Sequence, residues 1–426
     1  MAPIADHPLR YDLINELHAR PFPQLQAPAT AAYLAIKREH DAAKRDRAAD
    51  LAHLTELLDR HGATHPQPGA THYFGKIGRH HLKWESHTEF VTYTILTDGV
   101  SERAFDPADF EVFPQDWLSR APGLRVTSAL IRVTPWKSRE QLVRDIDDWF
   151  VTESVAVARV LDDAAVLAGD FRVDPAGHLR FLISIAPDTG ASRTGRIVQR
   201  ICEIETYKTM SMLGFARVRE MGAQMGALDD RLNRLTGGLA GGGQAPDQAL
   251  EDLLTITAEL EGLVAKSAFR LSATMAYEKI VNQRIEMLRE TRFNGRQTFA
   301  EFMMRRYEPA MRTVLSARER LEAMSGRAAR TAQLLRTKVD VQRSAQNQAL
   351  LESMDRRADL QLKLQRTVEG LSVVAISYYA VSLASYLLYP LAEPLEISRG
   401  ILMAVVTVPI VLAVWGMVRK LRSKVD

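Results

Sequence analysis

Histidine and carboxylate side chains gather in one short stretch. His72, His80, His81 and His87 lie there with Glu85 and Glu89. If the chain from His81 to Glu89 is extended, the two-residue period of a strand puts His81, Glu85, His87 and Glu89 on one face. Imidazole and carboxylate together are donors for a divalent metal ion. The same residues on the wet face of an antiparallel sheet need no metal, and that is the simpler reading. A second group lies near the C-terminus, where Tyr378, Ser382, Ser385 and Tyr389 recur at helical spacing and share one stripe. In an apolar helix such a stripe faces other helices or water, as packing serines or as the lining of a pore. Further on, Glu393 and Glu396 could draw cations to a pore mouth or serve as ordinary loop charge.

A third candidate is RIVQRICEIETYK, Arg196 to Lys208, with mixed charge at helical spacing. Arg200 with Glu203, and Glu205 with Lys208, are expected to pair along a solvated or interhelical face. Cys202, beside Ile201, reads as a small buried hydrophobe rather than a nucleophile. The glycine-rich TGGLAGGGQAP, residues 236–246, lacks the Lys-Ser or Lys-Thr of a phosphate loop and reads as a helix–helix turn. No G-x-S-x-G, H-E-x-x-H or dinucleotide pattern is present, so no enzyme is expected and no cofactor is implied.

Two runs without charge must place the polar stripe: Leu371 to Leu391 and Ile401 to Val418. Each is about 18–21 residues, the length that crosses roughly 30 Å of hydrocarbon. Arg356, Arg357, Lys363 and Arg366 precede the first, and Arg419, Lys420, Arg422 and Lys424 follow the second. The connector AEPLEISRG, residues 392–400, is acidic on balance. Positive charge stays inside, so both ends of the chain are expected in the cytoplasm and the connector outside. Tyr386, Tyr389 and Trp415 suit the membrane interface.

The rest is read coarsely. With 55 basic and 52 acidic residues the formal net charge is +3, which gives no case for nucleic acid. The single cysteine excludes an internal disulfide and fits a reducing compartment. The first residues, through Phe22, lack the apolar core of a secretory signal. A short helix is expected around Tyr11 to His18 and a longer one from Ala31 to His61. Strands follow at 71–77, 80–86, 89–96, 123–134, 154–160, 166–173 and 178–185, with a turn at Asp-Pro-Ala-Gly. Ser138 to Phe150 patterns as an amphipathic helix. These elements make an α+β or α/β cytoplasmic domain over residues 1–187.

After Pro187 the pattern is helical: Arg193 to Leu235, then Asp247 to Arg292, then a capping-box start at Thr298 with Glu301. Between Pro309 and Pro390 the only glycines are Gly326 and Gly370, so one helix of about 120 Å could run into the first apolar run. A helix that long needs partners, and Gln342, Gln346, Asn347, Gln361 and Gln365 spoil a simple Leu-rich coiled coil. A homo-oligomer is expected, with residues 188–366 as stalk or bundle and 367–426 as the two-pass transmembrane hairpin with its basic tail.

HPLRYDLINELHARPF near the N-terminus and QRTVEGLSVVAISYY at the first apolar run resemble a bacterial family known only as uncharacterised membrane-anchored proteins. The likeness covers the whole chain and implies a bacterial inner membrane. In architecture the chain also resembles the CorA-type divalent-cation transporters, which implies a pentamer with the first span lining the pore and a divalent cation as cargo. Their Gly-Met-Asn signature is missing: Tyr389-Pro390-Leu391 stands in its place, and Gly416-Met417 lies at the inner end of the second span. Two functions follow as expectations. One is an oligomeric CorA-like channel or transporter. The other is a non-transporting sensing or scaffolding module held at the bilayer.

Overall fold

The computed structural model describes residues 4–11, 13–14, 22–241, 245–392 and 398–422. The chain divides into two units: Met1–Gly243 with Glu251–Thr331, and Gln244–Leu250 with Ala332–Asp426.

In the first unit the described residues form a nine-stranded sheet. Its strands are β1 (Ala29–Lys37), β2 (His72–Ile77), β3 (His80–Ser86), β4 (Phe90–Asp98), β5 (Leu124–Pro135), β6 (Ala156–Val160), β7 (Ala165–Gly169), β8 (Leu179–Ile185) and β9 (Thr291–Arg292). Their order is β2-β3-β4-β1-β5-β8-β7-β6-β9. The β5–β8 pair is parallel and the other pairs are antiparallel. The helices are α1 (Arg47–Arg60), α2 (Gln115–Leu118), α3 (Arg139–Trp149), α4 (Ala191–Gly241), α5 (Pro246–Glu286), α6 (Phe299–Arg306), α7 (Glu308–Ala392) and α8 (Arg399–Arg422).

Most of the expected strands form within a few residues of their expected ends. Asp174 and Gly177 close the β7–β8 turn, the Gly177 N–H donating to the Asp174 carbonyl at 2.9 Å. Ser138 caps α3, and the Thr298–Glu301 capping box opens α6. The helix expected over Ala31 to His61 does not form as one element. Its first part is β1, paired with β4 and β5 and buried along almost its whole length. A central strand covered on both faces shows no alternation, so ATAAYLAIK carries a helix-like composition into a strand. Two further helix ends differ. α4 continues through Gly237 and Gly238 to Gly241. α5 stops at Glu286 because the chain turns at Arg289, in the left-handed region, and residues 291–292 pair with β6. Tyr11, Leu13 and Ile14 are helical, and the remainder of that expected helix lies outside the described residues.

One sheet face carries the core. Leu34, Trp84, Tyr93, Ile95 and Leu130 pack with Leu54 and Leu58 of α1, Trp117 of α2 and Ile146 of α3. A fully buried side chain of this size contributes roughly 1.5–3 kcal/mol. His53 is sealed into this layer, stacked on Trp117 at 3.9 Å. Its Nε2–H donates to the Trp117 carbonyl (3.1 Å), so its Nδ1 accepts from the Tyr93 hydroxyl (3.0 Å). Burial lowers the affinity of His53 for a proton, and the same holds for His80 and His178. The unfolded chain therefore takes up protons near pH 6.5 that the folded chain resists. The stability these three histidines contribute is constant above that pH and falls as pH drops through it. Urea midpoints measured from pH 7.5 to 5 should decline, and His53→Gln should flatten the decline; an unchanged slope in that variant would remove His53 from the account.

Candidate functional site

The opposite sheet face is apolar over β5 and β8, where Ile131, Val133, Phe181 and Ile183 are buried, and polar over β3 and β4. Alternation along β3 and β4 sends Leu82, Trp84, Tyr93 and Ile95 to the core and Lys83, Glu85, Thr92 and Thr94 to the other side. The register sets these in rows. Tyr33, Thr94 and Lys83 are cross-strand neighbours on β1, β4 and β3, and Ala35, Thr92 and Glu85 form the next row. Helix α4 covers the face. The Thr127 hydroxyl donates to Glu205 at 3.1 Å, and Glu205 also takes Lys208 at 2.6 Å. The Thr206 hydroxyl donates to the Cys202 carbonyl (2.8 Å), so the Tyr33 hydroxyl donates to Thr206. Burial raises the pKa of both the Tyr33 phenol and the Cys202 thiol, and Cys202 is buried, as expected of a small apolar side chain.

Between this face and helices α4 and α5 lies a cavity of about 380 Å³. It contains a charged group that a wet sheet face would not bury. The Lys83 side chain is 7% exposed and Glu85 14%, with Nζ and carboxylate 3.1 Å apart. The ammonium has no acceptor in hydrogen-bonding geometry among the described residues. On α4, Arg200 does not pair with Glu203 as expected. Glu203 accepts from Arg284 of α5 and from Gln199, and Arg200 donates to the Met287 carbonyl at 2.9 Å. Burial, then the neighbouring Arg196 and Arg284, lower the pKa of Arg200, whose guanidinium stays charged. Among the described charged groups lining the cavity, Lys83, Arg200 and Arg284 outnumber Glu85 and Glu203 by one.

The turn between β3 and β4 supplies an aromatic wall. His87 stacks on Phe90 at 4.4 Å, and Phe90 meets Tyr207 edge-on at 6.0 Å. Two buried groups hold this turn. Arg45 donates to Ser86 Oγ (2.9 Å) and to the carbonyls of His87 (2.6 Å), Phe90 (3.2 Å) and Thr88. Glu89, fully buried, accepts from Arg270 and from the Tyr277 hydroxyl (2.8 Å) of α5. At the mouth, Gly195 lets the chain at Pro23 lie against α4; a Cβ there would stand 1.7 Å from the Pro23 carbonyl oxygen.

The four residues considered for metal binding are thus dispersed. His81 is exposed and stacks on Phe74, Glu85 faces Lys83, His87 packs on Phe90, and Glu89 is tied to α5. Among the described residues no group of three or more His, Cys, Asp or Glu side chains could hold a metal ion.

In the second unit two helices are long and apolar enough to cross a membrane, and their most apolar windows are only 17% and 6% buried. The least exposed residues of the first run are Ser377, Val381 and Ser385, four apart on one stripe, and in α8 Val414 is buried. Arg399 of α8 lies over the rings of Tyr386 and Tyr389 of α7, at 5.6 and 5.4 Å. Of the polar stripe, Ser385 is buried and Ser382 half-buried, while Tyr378 and Tyr389 are exposed. Glu393 and Glu396 lie outside the described residues.

A family model described as a protein of unknown function (DUF3422) matches residues 5–425. The chain belongs to that family. No curated protein and no solved structure matches it. The likeness to CorA-type transporters therefore rests on architecture alone.

The cavity was not legible as a site in the sequence. Lys83 and Thr94 carried no motif, and Tyr33 sat in a segment that reads as helix. The one available signal was the strict alternation of LKWES and VTYTIL, which places Lys83, Glu85, Thr92 and Thr94 on one face.

Proposed function

We propose that this chain is a sensing or scaffolding module tethered to the bacterial inner membrane by two spans, with both termini in the cytoplasm. The observation that carries it is α7. It contributes Glu308–Thr331 to the unit that holds the sheet and the cavity, and it continues without a break at Gly326 through the apolar run. One continuous helix thus belongs in part to the unit that holds the sheet and carries the first apolar run. The cavity is in the size range of small-molecule sites, which supports a sensing role.

Homo-oligomerisation belongs to the same reading. Residues 340–368 of α7 are all exposed, among them Leu350, Leu351, Met354, Leu360 and Leu364. A lone helix with that much wet apolar surface gains from association with further copies. Five copies would follow only from the CorA-like architecture.

Ser398→Cys and Ser423→Cys variants test the tether, because buried Cys202 gives little background. A membrane-impermeant maleimide should label Ser398→Cys on intact cells and Ser423→Cys only after permeabilisation. The reverse pattern, or protein recovered in the soluble fraction, would overturn it.

A second reading is a CorA-like path for a divalent cation along Tyr378, Ser382, Ser385 and Tyr389, with Glu393 and Glu396 at its outer mouth. The exposure of Tyr378 and Tyr389 favours it, since those rings are open to face other subunits. Divalent-cation flux through the reconstituted protein would put this reading ahead of the first.

A further inference from the structure

The buried lysine is the feature that the tether does not explain. An ammonium withdrawn from water costs several kcal/mol unless it is paired and hydrogen-bonded. Lys83 has the pair, Glu85 at 3.1 Å, but not the hydrogen bonds. The Lys83 side chain lines the cavity, and its buried Nζ carries three N–H donors with no acceptor in hydrogen-bonding geometry among the described residues. The cavity is lined by the hydroxyls of Tyr33, Thr92 and Thr94 and by the side chains of Phe90, Tyr207 and Met287. It therefore offers both polar groups and aromatic surface.

We propose that the cavity binds a small aromatic carboxylate, with the carboxylate on Lys83 and the ring against the Phe90 wall. The charge count selects the anion. The described lining carries one cation more than its carboxylates, so a single negative charge brings the cavity to neutrality, whereas a phosphate dianion would leave it negative. An organic cation would add to the excess. The volume, about 380 Å³, sits at the low end of ligand sites, which suits a single-ring acid rather than a nucleotide. Glu85 has a defined part: it holds the ammonium in the absence of ligand and competes with the incoming carboxylate for it. This inference deepens the sensing reading above by giving the sensor a ligand class.

The pair makes a test of opposite signs. Benzoate is titrated into the full-length protein in detergent, with benzylamine and inorganic phosphate as comparison probes. Benzoate should saturate, and neither comparison probe should bind comparably. Lys83→Met, close in shape, should weaken benzoate at least ~10-fold, the scale of a lost charge-assisted hydrogen bond. Glu85→Gln removes the competitor and should tighten benzoate several-fold. The double variant Lys83→Met with Glu85→Gln leaves no unpaired charge and should bind as weakly as Lys83→Met alone, which separates lost binding from lost folding. Absence of benzoate binding, equal binding of phosphate or benzylamine, weakening in Glu85→Gln, or recovery in the double variant would each overturn the proposal. Cysteine labelling is independent of it: labelled termini without benzoate binding keep the tether and lose the ligand, and benzoate binding with the wrong labelling does the reverse.

Discussion

Arg45→Ala should destabilise the first unit by about 3–5 kcal/mol, the cost of stripping one partner from a buried ion pair. The Arg45 side chain is 2% exposed and Asp50 4%, and Nε meets the Asp50 carboxylate at 2.6 Å. Burial already pushes the Asp50 carboxyl above its ordinary value in spite of Arg45, so without the guanidinium that carboxylate is unsupported. The loss goes further than the pair. The same guanidinium serves Ser86 Oγ and the carbonyls of His87, Thr88 and Phe90, which makes it the internal scaffold of the β3–β4 turn. Arg45→Lys keeps the charge but lacks the planar fork, and it should recover about half of the loss. Denaturant unfolding of the variants decides the matter. A change under about 1 kcal/mol for Arg45→Ala would mean that water replaces the guanidinium, and the turn would not depend on it.

Glu89→Ala should cost about 3 kcal/mol, near the low end of the same range, because Arg270 is 15% exposed and can recover some water. Glu89 joins the sheet to α5 through Arg270 and Tyr277; Arg270 donates to it from Nη2, while Nη1 has no acceptor in hydrogen-bonding geometry among the described residues. Glu89→Gln retains an acceptor for Tyr277 and should cost about 1–2 kcal/mol. Hydrogen exchange gives a second readout: amides of residues 86–90 and of α5 around Arg270 should lose protection together in Glu89→Ala. Loss in only one of the two segments would show that the carboxylate does not couple them. Both substitutions loosen the wall formed by His87 and Phe90, so each should also weaken binding in the cavity.

Ser385 changes its meaning between sequence and structure. On the helical wheel Ser385→Leu is the cleanest probe of a pore face. In the structure Ser385 lies with Ser377 and Val381 on the buried stripe, so a leucine there would disturb packing in any reading. Tyr378, exposed, is the better probe of the same stripe. Period alone put four residues on one line; which edge of that line is covered depends on the neighbouring helix.

Local features of the fold are legible in the order of residues alone. Alternation fixed β2 to β4, the Asp-Pro-Ala-Gly turn fixed the β7–β8 hairpin, and Thr298 with Glu301 fixed the start of α6. Freedom from proline between Pro309 and Pro390 marked the body of α7, and two uncharged runs marked the helices able to cross a membrane. Each of these signals is complete within a few residues or one period of the backbone. Contacts between elements distant in the chain set the rest. Ala29–Lys37 became a strand because β4 and β5 pair with it on either side, overriding a helix-forming composition. Glu89 became a buried tie and not a metal ligand because α5 brings Arg270 and Tyr277 to it across a long separation in sequence. Lys83 and Glu85 became a cavity pair because α4 and α5 cover the sheet face that alternation alone assigns to water. In each case the deciding contact comes from an element far along the chain, and burial, which sets the energy of a charge, is a property of that covering element and not of the residue's own neighbours.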